Sequence, residues 1–358
     1  MHNLDYTKKI YFCHFGTKRF TTQDLRIISE CGGYVVENHY QNRNNFVLKI
    51  FGLLGSLIKA LWYVPQCDIV YSFFVANHCF FPILIGKVCR KKIVVVVAGF
   101  DALCIPDLQY GIFFKKGILS YLASVMYRST DVILPVDISL AKSINYYADP
   151  SGKGYPQGFF HYVRHIHAKV IELPFSYDQH EYKCPIDIVK KCEVLSLSSV
   201  ENMQDFRRKG YDFILQIAAV MPETKFTLAG VEPVVHAAIH HKVPSNVTIL
   251  GHIHYDRLVE TYSAFKVFLQ LSLCEGLPNT LCEAMLCQCI PIGSNVNGIP
   301  KAIGNAGFIL AHKNIEQAKY FIRTALSMDP EFGERARNQI IENFPYHHRT
   351  DILKDIIF

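Results

Sequence analysis

Two carboxylates, Glu275 and Glu283, flank a segment in which a strand is expected to pass into a helix. The preceding apolar run, residues 266–271, has the length and composition of a buried strand. Gly276 and Pro278 then break the chain before a helical pattern begins. A helix that starts above the carboxyl end of a parallel strand offers its first amide groups to anions, phosphates especially. The segment therefore predicts a phosphate-binding site with a carboxylate on either side.

The two glutamates lie eight positions apart within Glu-Gly-Leu-Pro-Asn-Thr-Leu-Cys-Glu-Ala-Met, residues 275–285. This sequence resembles the donor-site motif of glycosyltransferase family 4, the retaining sugar-nucleotide transferases with the two-domain GT-B fold. The resemblance implies that Glu283 accepts hydrogen bonds from ribose hydroxyls and that Glu275 orients the transferred sugar. It also places the intervening residues against the donor: Gly276, Leu277, Pro278, Asn279 and Thr280. A solvated Glu283 and a turn-stabilising Glu275 are the structural alternative.

A basic run, Arg207-Arg208-Lys209, precedes Gly210 at the expected start of a helix. Cleavage of a sugar nucleotide leaves a diphosphate whose new charge must be stabilised by fixed cations. The family places a lysine in such a Lys-Gly pair, which Lys209 matches, and an arginine directly after the first strand of the second domain. Ser198-Ser199 stands at that arginine position, so we expect Arg207 or Arg208 to supply the guanidinium. The same departure keeps a catalytically silent sugar-nucleotide-binding protein open as an alternative.

Two further residues are weaker candidates. Asp101 follows a very apolar strand, at the loop where many relatives carry a histidine close to the transferred sugar. It is a catalytic candidate, although a carboxylate there can equally cap the next turn. His252 lies in a segment that resembles the loop under which the nucleotide base packs, and it can equally be a surface residue. The chain has no Asp-x-Asp triplet, and the resemblance implies neither a divalent metal nor another cofactor.

The length of 358 residues suits two domains, and alternating strand and helix patterns predict a doubly wound parallel sheet in each. We expect a GT-B architecture. An acceptor-binding domain would span residues 1–180 and a donor-binding domain residues 181–335, with C-terminal helices over 336–358 returning to the first domain. Within the first domain, the segment 138–147 has a helical pattern.

The net charge of +6 suits an anionic ligand or an anionic membrane surface, and no nucleic-acid-binding motif is present. Twelve cysteines without a CxxC pair, behind an N-terminus that lacks a signal-peptide pattern, indicate a cytoplasmic protein with reduced thiols. Phe46–Tyr63 is apolar nearly all round, which favours a helix packed in the core. The alternative is an interfacial helix, which would give the protein peripheral contact with the cytoplasmic face of a membrane.

Together these observations predict a retaining glycosyltransferase that moves a sugar from a UDP- or GDP-linked donor. The acceptor would be a hydroxyl of a glycan or lipid-linked glycan, in polysaccharide biosynthesis. A phosphorylase-like or epimerase-like enzyme of the same architecture is the competing enzyme class.

Overall fold

The computed structural model describes residues 8–16, 19–40, 46–185 and 188–358. Two compact units divide the chain. The first comprises the residues up to Ser143 together with Pro156–Phe175 and His347–Phe358, and the second comprises Ile144–Tyr155 and Ser176–Tyr346.

The elements of the first 175 residues are, in chain order, β1 (Lys8–Phe15), α1 (Arg19–Glu30), β2 (Gly33–Tyr40), α2 (Phe46–Tyr63), β3 (Ile69–Phe73), α3 (Phe80–Val88), β4 (Lys92–Val97), α4 (Ile118–Ser129), β5 (Val132–Pro135), β6 (Ser143–Asn145), β7 (Tyr155–Gln157), α5 (Phe159–Tyr162) and β8 (Lys169–Val170). Six of these strands form one parallel sheet in the order β2-β1-β3-β4-β5-β8. Its central strands are buried along almost their whole length, which explains why they consist of continuous apolar runs.

The remaining elements are β9 (Lys191–Val200), α6 (Met203–Arg208), α7 (Tyr211–Ala219), β10 (Phe226–Val231), α8 (Pro233–Ile239), β11 (Val247–Ile249), α9 (Leu258–Ser263), β12 (Phe265–Gln270), α10 (Asn279–Leu286), β13 (Ile290–Ser294), α11 (Ile299–Ile303), β14 (Phe308–Leu310), α12 (Ile315–Ser327), α13 (Glu331–Asn343) and α14 (Tyr346–Ile357). They contain a second parallel sheet in the order β11-β10-β9-β12-β13-β14. The chain order reverses between β9 and β12. The crevice beyond the carboxyl ends of those two strands is therefore the expected ligand site of this sheet. The predicted pair of doubly wound parallel sheets is confirmed.

The unit division differs from the predicted boundaries in two respects. Helix α13 stays with the second unit, and the chain joins the first unit only from His347. There the fully buried Arg349 donates to both carboxylate oxygens of Asp24, at 2.6 and 2.9 Å, and to the carbonyls of Leu173 and Pro174. Residues 144–155 also belong to the second unit although they lie early in the sequence.

Two predictions of local structure are wrong. The segment 138–147 is not an α-helix, because a short 3-10 turn over Ile138–Leu140 is followed by strand β6. Helix α2 forms as predicted but is not packed all round, since one face of it is exposed over residues 51–62. Over the described residues, no helix is both long enough and apolar enough to cross a bilayer.

Candidate functional site

The site is built around the segment that joins β12 to α10. Strand β12 is buried, and Gly276, Leu277 and Pro278, which follow Glu275, are buried as well. The carbonyl of Gly276 accepts a bond of 2.9 Å from the amide of Gly298, which holds the loop against the start of α11. Pro278 occupies the N-cap of α10 and provides no side-chain cap. The amide groups of the first helical turn therefore lack the side-chain acceptor that usually satisfies them.

Lys209 and Glu275 form an ion pair, although 66 residues separate them in the chain. The distance from Lys209 Nζ to Glu275 Oε1 is 2.5 Å, and the two side chains are only 15% and 11% exposed. The next residue, Gly210, has a φ of 74°, and a Cβ there would lie 2.1 Å from the carbonyl oxygen of Leu271. Only glycine lets the chain approach β12 so closely. The Lys-Gly pair thus places the lysine at the end of β12.

The charge of Glu275 is set by two opposing effects. Burial raises the pKa of this carboxyl, but the charges of Lys209 and Arg208 outweigh burial and hold its pKa below the usual range. Glu275 is therefore ionised at neutral pH. Arg208 itself donates from Nη2 to the Asp205 carboxylate at 2.8 Å. Two cations and two carboxylates thus lie together at the carboxyl edge of the sheet.

Glu283 lies on α10 and is only 6% exposed, which excludes the interpretation of a solvated glutamate. Its Oε2 accepts a bond of 2.9 Å from the hydroxyl of Tyr262, which is buried too. Asn279, at the start of the same helix, accepts from the hydroxyl of Tyr177 at 2.7 Å. Two of the polar side chains of α10, Asn279 and Glu283, are therefore fixed by tyrosines of the second unit.

The basic run divides between the site and the surface. Arg208 lies close enough to Glu275 to lower the pKa of that carboxyl. Arg207 is exposed, and its charge acts on Asp212 instead. At the position where the family has an arginine, Ser198 is buried and Ser199 is exposed.

The two weaker candidates, His252 and Asp101, differ in burial. His252 is exposed beyond the end of β11, three strands from β12 in the sheet. Asp101, in the first unit, is 1% exposed, and its oxygens accept bonds from the amides of Val75, Ala98 and Gly99 at 3.0–3.2 Å. Burial raises the pKa of Asp101 to about 6, although these bonds oppose the shift. This geometry favours the structural interpretation, in which Asp101 organises the loop after β4.

Sequence reasoning missed Gln270, the last residue of β12. Its Nε2 donates to Ser272 Oγ at 2.8 Å and to Glu275 Oε1 at 3.3 Å, and its Oε1 accepts from Thr280 Oγ1 at 3.3 Å. The amide therefore connects Glu275 to the first turn of α10. A polar residue at the carboxyl end of an otherwise buried strand was the available signal. Across the part of the chain that the structure describes, no three His, Cys, Asp or Glu side chains cluster as a metal-ligand set.

Part of the second unit matches the model of a known protein family. Residues 203–344 match the family model described as "Glycosyl transferases group 1". A phosphatidylinositol N-acetylglucosaminyltransferase subunit from Arabidopsis thaliana is 22% identical over 201 residues. That match covers 52% of this chain and 44% of the plant protein, so less than half of the curated relative is spanned. The matched family region contains Lys209, Glu275 and Glu283, and it supports a glycosyltransferase.

Solved structures resemble the whole chain. Sucrose-phosphate synthase from Thermosynechococcus elongatus superposes with a TM-score of 0.72 at 12% identity, covering 98% of both chains. HepE of Anabaena, solved with UDP and glucose, gives a TM-score of 0.68 at 11% identity over 97% of this chain and 98% of its own. At such identities the likeness defines the fold alone. The fold is GT-B, as predicted.

Proposed function

We propose that this chain is a retaining glycosyltransferase. It moves a sugar from a nucleotide diphosphate sugar to a hydroxyl of a glycan or lipid-linked glycan in polysaccharide biosynthesis. The observation that carries the proposal is the buried Lys209–Glu275 pair beside the uncapped start of α10, at the point where the chain order of the sheet reverses. A fixed cation, a fixed carboxylate and free helix amides are the groups that a sugar diphosphate requires.

Each group has a distinct role in this proposal. Lys209 and the first amides of α10 stabilise the diphosphate as the bond to the sugar breaks, with Arg208 adding its charge behind them. Because these groups carry the positive charge, we infer that no divalent metal is needed. Glu283 accepts bonds from the ribose hydroxyls. Its second oxygen is already held by Tyr262, so the carboxylate keeps a single orientation.

Glu275 orients the transferred sugar by accepting bonds from its hydroxyls. A retaining enzyme that used this carboxylate as a nucleophile would need a second carboxyl about 5 Å away to assist it. The other carboxylate of the cluster, Asp205, pairs with Arg208, and the side chains that bond Glu275 include Lys209 and Gln270, a cation and an amide. We therefore propose transfer on one face of the sugar, in which the departing phosphate takes the acceptor proton.

The ligand bound to one similar structure and the activity for which a relative is named guide the choice of donor. HepE was solved with UDP-glucose as well as with UDP, and the curated relative is named as part of an N-acetylglucosaminyltransferase. UDP-glucose and UDP-N-acetylglucosamine are therefore the first donors to test, with GDP-linked sugars beside them. All twelve cysteines are free thiols, which suits the reducing cytoplasm where we place the protein.

The test is to incubate purified protein with labelled UDP- and GDP-sugars, with and without membrane extract, and to follow label into product. We expect transfer from one donor with the anomeric configuration retained and with activity unchanged by excess chelator. An inverted product would overturn the retaining mechanism, and loss of activity on chelation with rescue by a divalent ion would overturn the metal-free assignment. Tight donor binding without turnover for any acceptor would support the silent-binder alternative that Ser198-Ser199 leaves open.

A further inference from the structure

Helix α2 exposes a continuous apolar face. Its exposed positions occur every three or four residues, so they lie on one side of the helix. They are Phe51 (64% exposed), Leu54 (48%), Gly55, Ile58 (68%), Leu61 (57%) and Trp62 (70%). A helix on the surface of a globular protein normally turns charged or polar residues outward. We call these six residues the α2 stripe.

The opposite side of α2 is packed normally. Ser56 and Ala60 are buried, and the amide of the buried Asn38 in β2 donates to Ser56 Oγ at 3.1 Å. The stripe is therefore a second apolar face on a helix whose first apolar face already lies in the core. Contiguous exposed apolar surface of this kind marks an interaction site.

Neighbouring helices extend the apolar surface. Strand order and right-handed crossovers place α2, α3 and α4 on one side of the sheet, and α3 packs against both of the others. Exposed apolar side chains continue there at Val88, Ile118, Leu119 and Tyr121, the first of these 84% exposed.

The same region carries the positive charge of the chain. Residues 46–130 contain nine lysines and arginines against three aspartates and no glutamate, a net charge of +6. The whole chain also has a net charge of +6, so the rest of the sequence is neutral overall. Lys87, Arg90, Lys115 and Lys116 are exposed. The partner of this surface must therefore be apolar in part and negatively charged.

A cavity of about 420 Å³ adjoins the stripe. Phe51 and Gly55 form its apolar wall, and Asn38, His39, Ser56 and Lys59 form its polar wall. Lys59 lies one step around the helix from Ile58, and its ammonium donates to the carbonyl of Glu37 at 2.7 Å. The apolar stripe thus borders a polar pocket with the cation of Lys59 at its rim. This arrangement matches a lipid, in which apolar acyl chains adjoin a charged headgroup.

We propose that the α2 stripe lies on an anionic phospholipid bilayer, with Lys87 of α3, Arg90 just after α3, and Lys115 and Lys116 just before α4 contacting the headgroups. A second copy of this chain would bring two surfaces of the same positive sign together, which costs energy. An anionic bilayer instead attracts each lysine or arginine near its surface. Trp62 at the end of the stripe is also suited to the interface, where tryptophan concentrates. The inference rests on the first unit alone and holds whether or not the proposed transfer reaction is correct.

Trp62 is the only tryptophan of the chain and therefore reports on the stripe directly. Vesicles of equal parts phosphatidylglycerol and phosphatidylcholine should shift its fluorescence to shorter wavelength, and brominated acyl chains should quench it. The protein should float with these vesicles, float much less with pure phosphatidylcholine, and dissociate in part at high salt. Unchanged Trp62 emission at low salt would overturn the proposal. So would a shift that depends on protein concentration without lipid, because that outcome assigns the stripe to self-association.

Matched variants separate the stripe from general surface effects. Ile58→Asp should abolish flotation, whereas Val234→Asp, at an equally exposed apolar position of the second unit, should not change it. Each of Lys115→Gln and Lys116→Gln should lower vesicle partitioning roughly fivefold, the factor equivalent to ~1 kcal/mol per basic residue. Equal flotation of the Ile58 and Val234 variants, both with unaltered thermal unfolding, would contradict the proposal.

Discussion

The replacement of Glu275 by glutamine should separate nucleotide binding from sugar transfer. The change keeps the size of the side chain and removes its charge. In the free protein that charge holds Lys209 at 2.5 Å, so Lys209 must leave or share this partner when a diphosphate binds. In Glu275→Gln the lysine is released before the nucleotide arrives.

The expected changes in UDP affinity and in turnover can be estimated from the contacts of Glu275. Exposed ion pairs are worth about 0–1 kcal/mol, and breaking a fully buried pair costs about 3–5 kcal/mol. With side chains 15% and 11% exposed, the Lys209–Glu275 pair lies between these limits. A release worth ~1–2 kcal/mol would raise UDP affinity roughly 5- to 30-fold. Turnover should fall about 100- to 10,000-fold, because two charge-assisted bonds to sugar hydroxyls are worth roughly 3–6 kcal/mol.

Calorimetric titration with the cognate nucleoside diphosphate and a labelled-transfer assay measure the two effects separately. Glu316→Gln is a matched control, because it breaks the exposed pair between Glu316 and Lys319 in the same unit. The double variant Lys209→Met/Glu275→Gln should lose the gain in nucleotide affinity, since the released cation is gone. A tenfold or greater loss of UDP affinity in Glu275→Gln, or turnover close to wild type, would refute the reasoning.

Three other perturbations test other parts of the structure. Glu283→Gln keeps an acceptor for the buried Tyr262 hydroxyl but removes the charge, so UDP should bind at least tenfold more weakly by calorimetry, given ~1.5–3 kcal/mol for bonds to charged groups. His78 is buried, neither of its ring nitrogens has a hydrogen-bond partner among the residues that the structure describes, and burial lowers its pKa from 6.5 to about 4. As the pH falls from 7 to 4, the imidazole of His78 is protonated in the unfolded chain at a higher pH than in the native state. The wild type should therefore lose up to ~3 kcal/mol of unfolding free energy relative to His78→Leu, and parallel curves in denaturant titrations would contradict this. Arg349→Met should destabilise the first unit by about 3–5 kcal/mol because it leaves the buried Asp24 carboxylate without its cation, whereas Arg323→Met at an exposed pair should barely change thermal unfolding.

Local sequence patterns were sufficient to predict the two sheets and to select some of the candidate site residues. The alternation of strands and helices predicts two doubly wound sheets. The segment proposed to bind phosphate, residues 275–283, is contiguous, so its sequence pattern was enough to single it out as a candidate. Lys209 was predicted from its match to the Lys-Gly pair of the family that the sequence resembles. The structure adds a physical reason for that glycine, since a Cβ at Gly210 would lie 2.1 Å from the carbonyl oxygen of Leu271.

Contacts between distant segments were beyond sequence reasoning. Tyr262 reaches Glu283 from a separate helix, and no spacing rule connects them. The helical pattern of residues 138–147 was overridden because Asn145 donates its side-chain amide to the carbonyl of Leu273, 128 residues away. For α2, the sequence favoured packing in the core and left an interfacial helix as the alternative, for a different reason. A helix that is apolar all round has the same pattern whether its second face meets protein or lipid.

Ser198-Ser199 stands where the family that the sequence resembles has an arginine. The absence of that arginine also changes the charge balance of the site. The candidate replacement, Arg208, comes with its own carboxylate, Asp205, and Lys209 is already paired with Glu275. Within this cluster the formal charges of the free protein therefore cancel, and the amide groups at the start of α10 supply the remaining positive potential. In the proposed function, a diphosphate gains a full cation by drawing Lys209 away from Glu275. The same movement frees Glu275 to accept bonds from the sugar. A complete sugar nucleotide would then pair with both Lys209 and Glu275, whereas a bare anion would pair with Lys209 alone. The pairing thus favours the intact donor over free phosphate.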